Sequence, residues 1–142
     1  MNIGPEGLAL IKEFEGVRLE AYLDSVGVPT IGYGHTKGVQ MGDTCTEEEA
    51  EAWLREDLAW AEECVESAVT AFLHENEHAA CVSLCFNIGC KAFTDSTLVR
   101  LINEGDFDGA GLQFHRWNKQ AGKVLAGLTR RRAEESQLFE TV

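Results

Sequence analysis

The sequence predicts an α+β fold in which a small N-terminal β-lobe and a larger helical C-terminal lobe are joined by a long helix. Two patterns predict it. Between Val17 and His35, aromatic and β-branched residues alternate with Gly27, Pro29, Gly32 and Gly34, as short, tightly turned strands require. From Thr46 onward the apolar residues recur at helical spacing instead, interrupted by glycine-bearing turns. The 142 residues, 44% apolar and 25% charged, suffice for one such domain but not for two independent cores. Residues 1–142 therefore read as a single domain, with a β-lobe near 16–45, a linking helix near 46–72, and a helical lobe near 73–142 that a first helix at 5–15 completes.

In chain order, Pro5 suits the first turn of a helix whose Leu8, Ile11 and Phe14 share one face, and Glu15 falls at its C-terminal end. The turn-rich strand segment follows. Thr46-x-x-Glu49 is a capping-box pattern, and the acids after it complement the helix dipole. Trp53, Leu54, Leu58, Ala61, Cys64, Val65, Ala68 and Phe72 continue the apolar stripe, so one helix is expected from Thr46 to about Phe72. Further helices are expected near 76–89, 96–104, 107–119 and 129–139.

Charge and cysteine content narrow the function classes. The net charge is −12, and residues 41–70 alone hold ten acids against one arginine, which reads as a solvated acidic helix face. The one basic cluster, Arg130, Arg131 and Arg132, is too short for a nucleic-acid footprint, so no nucleic-acid partner is expected. No apolar run approaches the ~20 residues of a membrane helix, and no export signal is evident, so no membrane anchor is expected. The five cysteines, Cys45, Cys64, Cys81, Cys85 and Cys90, form an odd set without a C-x-x-C pair. That fits free thiols in a reducing compartment, with Cys81 and Cys85 serving as buried hydrophobes. No His/Cys cluster has metal-ligand spacing, so neither metal nor cofactor is expected.

The chemistry-bearing stretch runs from Glu15 to His35. Glu15 ends a helix, Asp24 lies nine residues on in a turn-rich region, and Thr30 follows six residues later. Taken singly, these are an ordinary helix-end carboxylate, a turn former and a strand residue. Taken together they can line one cleft, and two carboxylates in different environments are what glycosidic-bond hydrolysis needs: one protonates the leaving oxygen, the other stabilises the cationic centre or activates water.

The spacing Glu15, eight residues, Asp24, five residues, Thr30 resembles the catalytic signature of the phage T4-type lysozymes, the endolysins or muramidases of glycoside hydrolase family 24. The flanks Glu15-Gly16, Arg18, Tyr22 and Thr30-Ile-Gly-Tyr-Gly-His35 match as well. So do Phe86-Asn87-Ile88-Gly89, Ser96-Thr97-Leu98, Arg116-Trp117 and Gly127-Leu128-Thr129-Arg130, which are similar to lysozymes of lambdoid phages. The resemblance spans nearly the whole chain. It implies hydrolysis of the β-1,4 bond between N-acetylmuramic acid and N-acetylglucosamine in bacterial peptidoglycan, with inversion. Glu15 would be the general acid, Asp24 the second carboxylate, and Thr30 the group that holds the attacking water.

The same frame implies substrate contact by Gly32, Tyr33, Asn87 and Trp117, although packing roles for Asn87 and Trp117 stay open. Arg130 is implied as a hydrogen-bond partner of Glu15, while Arg131 or Arg132 reads as part of a solvated helix face. His35 reads as a structural residue that pairs with a carboxylate. The implied biology is a monomer that accumulates in the host cytoplasm and depends on a holin to reach the periplasm or cell wall. Two alternatives remain: a lytic transglycosylase, which needs only the acid, and a non-catalytic peptidoglycan-binding or virion structural module.

Overall fold

The computed structural model describes residues 1–141, which divide into two compact units: Ile11–Ala59, and Met1–Leu10 together with the chain from Trp60 onward. The first boundary falls inside α1 (Pro5–Glu15). The Ile11–Ala59 unit then contains β1 (Arg18–Leu23), β2 (Pro29–Gly32) and α2 (Glu47–Asp57). The strands pair antiparallel, Tyr22 opposite Thr30 and Leu23 opposite Pro29, with a bulge before Arg18 meets Gly32. Single bridges join Glu20 to Thr44 and Ile31 to His35. At α2 the expected capping box is complete: the Glu49 amide donates to Thr46 Oγ1 at 3.1 Å, and the Thr46 amide donates to Glu49 Oε1 at 3.0 Å. Ile11, Ala21, Ile31, Ala50, Leu54 and Leu58 are buried.

The second unit is helical: α3 (Ala59–Ala68), α4 (Glu75–Ile88), α5 (Cys90–Thr94), α6 (Thr97–Asn103), α7 (Phe107–Gln113), a 3-10 turn (Phe114–Arg116) and α8 (Ala126–Glu140). A two-residue hairpin, β3 (Lys119–Gln120) and β4 (Lys123–Val124), precedes α8. α4 is buried without a break from His78 to Cys85, as a helix enclosed on all sides must be, and α8 packs along it. The start of α1 also approaches α4 closely. A Cβ on Gly7 would lie 2.5 Å from that of Ala79 and 2.7 Å from Ile3 Cγ1, so only a residue without a side chain fits.

Three expectations are corrected. The stretch expected as one helix to Phe72 is two helices, α2 and α3, with a one-residue interruption at Leu58, which keeps helical dihedrals and donates to the Leu54 carbonyl. It ends early because Asn103 satisfies its terminus: Asn103 Nδ2 donates to the Ala68 carbonyl at 3.0 Å, and Asn103 Oδ1 accepts from the Thr70 amide at 2.9 Å. The helix expected over 107–119 gives way to the 3-10 turn and hairpin. The cysteines are not all free. Cys64 on α3 and Cys90 at the start of α5 form a disulfide, whereas Cys81 and Cys85 are the buried thiols expected and Cys45 is half-buried. Burial pushes the Cys85 thiol up to about 11, and that of Cys81 higher still.

Candidate active site

Glu15, Asp24, Thr30, Gly32, Tyr33 and His35 all lie in the Ile11–Ala59 unit. Asp24 opens the β1–β2 turn. Its amide donates to the Val28 carbonyl at 3.0 Å, and its Oδ1 accepts from the amides of Val26 and Val28 at 2.9 and 2.8 Å. The turn-forming role and the catalytic one are thus compatible: two backbone donors fix the carboxylate through Oδ1, and Oδ2 takes no hydrogen bond among the described residues. Thr30, directly after that turn, is only 4% exposed, and its hydroxyl donates to the Val28 carbonyl at 2.9 Å. With its proton committed, Oγ1 faces any further partner as an acceptor.

The segment after Thr30 doubles back sharply: Ile31 and His35 exchange both backbone hydrogen bonds at 2.9 Å. Gly32 (φ +68) and Gly34 (φ +86) make that reversal in a backbone region that favours glycine, and at Gly32 a side chain would also crowd α2. A Cβ on Gly32 would be 3.2 Å from Ala50 Cβ, and one on Gly34 would be 3.9 Å from Glu15 Oε1. The half-buried acid at the end of α1 therefore lies against this turn. His35 pins the turn to α2: its Nδ1 is 2.8 Å from Asp57 Oδ2, and its ring stacks on Trp53 at a centroid distance of 4.8 Å.

Lys12, one helical turn before Glu15, is a participant that sequence reasoning did not single out. It forms an ion pair and hydrogen bond with Glu51 on α2 and lies 5.8 Å over the Tyr33 ring. The lysine holds the Glu51 carboxyl below its usual range. Lys12, Tyr33, Glu47, Glu48 and Glu51 line a polar cavity of about 260 Å³. Their separation along the chain hides this group, and only the (i, i+3) relation of Lys12 to Glu15 hints at it.

Asn87, Trp117 and Arg130 lie in the other unit. Trp117 lines a cavity of about 390 Å³ with Ala92, Asp95, Ser96, Thr97, Gln113 and Arg116. Arg130 is exposed on α8 and lies 3.6 Å from Glu134. Its neighbours Arg131 and Arg132, read from sequence as solvated, are buried instead, because Glu135 one turn later is buried with them. Arg132 Nε is 2.8 Å from Glu135 Oε1, Arg131 Nε is 3.3 Å from Glu135 Oε2, and the Ser83 hydroxyl donates to the same Oε2. Burial pushes the Glu135 carboxyl up, and both guanidiniums oppose that shift. Arg132 reaches further: Nη2 donates to Asn87 Oδ1 at 2.9 Å and Nη1 to the Trp117 carbonyl at 3.4 Å.

The Ile11–Ala59 unit thus brings together a carboxylate against a glycine turn, a carboxylate held by two amides and a buried threonine. The family profile described as "Phage lysozyme" matches residues 12–135. The chain belongs to the phage lysozyme family. It is accordingly a lysozyme-type glycoside hydrolase with a lysozyme-like fold. An endolysin of Acyrthosiphon pisum secondary endosymbiont phage 1 is 46% identical, with 99% of each chain covered. Among solved structures, a single-substitution mutant of the phage P22 lysozyme superposes with a TM-score of 0.92 at 42% identity, covering 99% of each chain. The muramidase domain of SpmX from Asticaccaulis excentricus gives the same TM-score, identity and coverage. The matched range of this lysozyme takes in Glu15, Asp24 and Thr30 together with the glycine turn that follows them.

Proposed function

We propose that this phage lysozyme hydrolyses the β-1,4 bond between N-acetylmuramic acid and N-acetylglucosamine of peptidoglycan, lysing the host from within. Glu15 protonates the glycosidic oxygen, Asp24 Oδ2 faces the positive charge that develops at the anomeric carbon, and Thr30 Oγ1 holds the attacking water. Thr30 is the observation that carries this reading. Because its proton is donated to Val28, Oγ1 can only accept from the water, so the water keeps a lone pair for the sugar. Attack by a held water on the face opposite the leaving group gives inversion. Asn87 and Trp117 contact the glycan.

Two relatives lend support by name, an endolysin of Salmonella phage P22 at 42% identity and the SpmX muramidase domain. The protein acts as a monomer, accumulates in the host cytoplasm and reaches the wall through a holin-made lesion. Among the described residues, no helix is long and apolar enough to cross a membrane.

The test is mass spectrometry of fragments released from purified peptidoglycan by the wild type and by a folded Glu15→Gln variant. Hydrated reducing-end muramic acid, lost in the variant, is expected. Anhydro products would instead make the protein a lytic transglycosylase, and no products from either would leave a wall-binding module. Access is tested separately: expression alone should leave cells intact, and permeabilising the inner membrane should lyse them.

A further inference from the structure

We propose that Arg132 is a positioning residue that turns Asn87 into a hydrogen-bond donor for the acetamido carbonyl of a bound sugar. The proposal rests on the reading that Asn87 contacts the glycan, and it deepens that reading by assigning the chemistry of the contact.

A side-chain amide has one accepting end and one donating end, and an exposed asparagine can present either. Asn87 is exposed at the C-terminal end of α4, yet its choice is made from below. Arg132 carries donors only, so its Nη2, 2.9 Å away, holds Oδ1 inward. Nδ2, with two N–H donors, is then the end left facing outward. Arg132 is itself enclosed and contacted on several sides. It is fully buried, Glu135 lies 2.8 Å from its Nε, and its Nη1 donates to the Trp117 carbonyl. One planar guanidinium thereby holds both the amide of Asn87 and the backbone of Trp117, the latter a wall residue of the cavity of about 390 Å³.

A buried ion pair is a costly way to fill a core, since apolar residues of the same volume often stabilise as well or better. Holding Asn87 and Trp117 gives the pair a use that apolar residues could not serve. Outward N–H donors select an acceptor, and the acetamido carbonyl is the acceptor that recurs on every sugar of a peptidoglycan strand.

The experiment measures affinity for the hexasaccharide of N-acetylglucosamine by calorimetry, with every variant made on a Glu15→Gln background so that turnover does not enter. Asn87→Asp keeps an acceptor for Arg132 and removes both outward donors, and it should weaken binding about tenfold. Arg132→Met leaves Glu135 paired with Arg131 and Ser83 and frees the amide to rotate; it should weaken binding several-fold. In the double variant the second change should add less than twofold, because both act through the same amide. Multiplying losses, or unchanged affinity in folded Asn87→Asp, would overturn the proposal, as would absence of binding in the parent. Should Arg132→Met fail to fold, Arg132→Lys keeps the charge beside Glu135 without the fork, and the same pattern is required of it. Failure of the broader reading shows elsewhere, as absence of peptidoglycan cleavage by the wild type.

Discussion

Valine has nearly the shape of threonine, so Thr30→Val isolates a single oxygen. If that oxygen holds the nucleophilic water, kcat should fall about 100-fold while KM stays within twofold, as measured on soluble peptidoglycan fragments. The Val28 carbonyl loses its donor, for which about 1 kcal/mol of stability is expected. A wild-type rate in the folded variant would mean that some other group holds the water. Glu15, Asp24 and Thr30 could be singled out from sequence because each belongs to one short segment whose spacing survives in the chain order. Lys12 and Glu51 could not, since 39 residues separate them and each alone is an ordinary surface charge. Arg131 and Arg132 misled for another reason: a run of like charges looks solvated until the Glu135 that neutralises it is seen to be buried too.

Elements were legible where their signals were local. The capping box at Thr46 involves residues three apart, and it starts α2 where the sequence says it should. The end of α3 depends on Asn103, 35 residues beyond Ala68, and no local pattern announces it. The disulfide is of the same kind, because an odd cysteine count says nothing about which two sulfurs meet. It joins positions 26 residues apart and ties α3 to the start of α5. Closing a loop of that length restricts the unfolded chain by roughly 3 kcal/mol. Replacing Cys64 and Cys90 together with serine should lower the unfolding free energy by about that amount in urea titrations without reductant. Adding reductant to the wild type should reproduce the loss, and an unchanged midpoint in both cases would contradict it.

At the scale of the molecule, the α+β class followed from the position of one glycine-rich stretch among helical periodicities, and the assembled chain agrees with relatives that share less than half of its residues. Global stability has one unusual dependence. His78 is 5% exposed on α4, its Nδ1 has no hydrogen-bond partner among the described residues, and burial pushes its pKa below the ordinary 6.5. The amino terminus pushes the same way, and Glu66 opposes both. The unfolded chain therefore takes up a proton near pH 6.5 that the folded chain refuses. The contribution is intact above that pH, is lost as the pH falls through it, and levels off below the folded value. Melting temperatures should drop more steeply between about pH 6.5 and 5 for the wild type than for His78→Gln, and parallel profiles would refute it. Losses from titrating carboxylates are common to both proteins and cancel in the comparison.

The close approach of Gly7 to Ala79 bears on how this protein could be hardened for use. Glycine inside a helix costs up to about 1 kcal/mol relative to alanine, so replacing helical glycines is a natural first step for an engineer. At Gly7 the step should fail, because the new methyl meets Ile3 and Ala79 at a distance that real side chains do not tolerate. Gly127, in the first turn of α8, has nothing within 4 Å of where a Cβ would stand. Gly127→Ala should raise the melting temperature and Gly7→Ala should lower it, although both are the same chemical change in the same kind of element. Propensity tables score the two alike, and only the neighbour across the helix interface tells them apart.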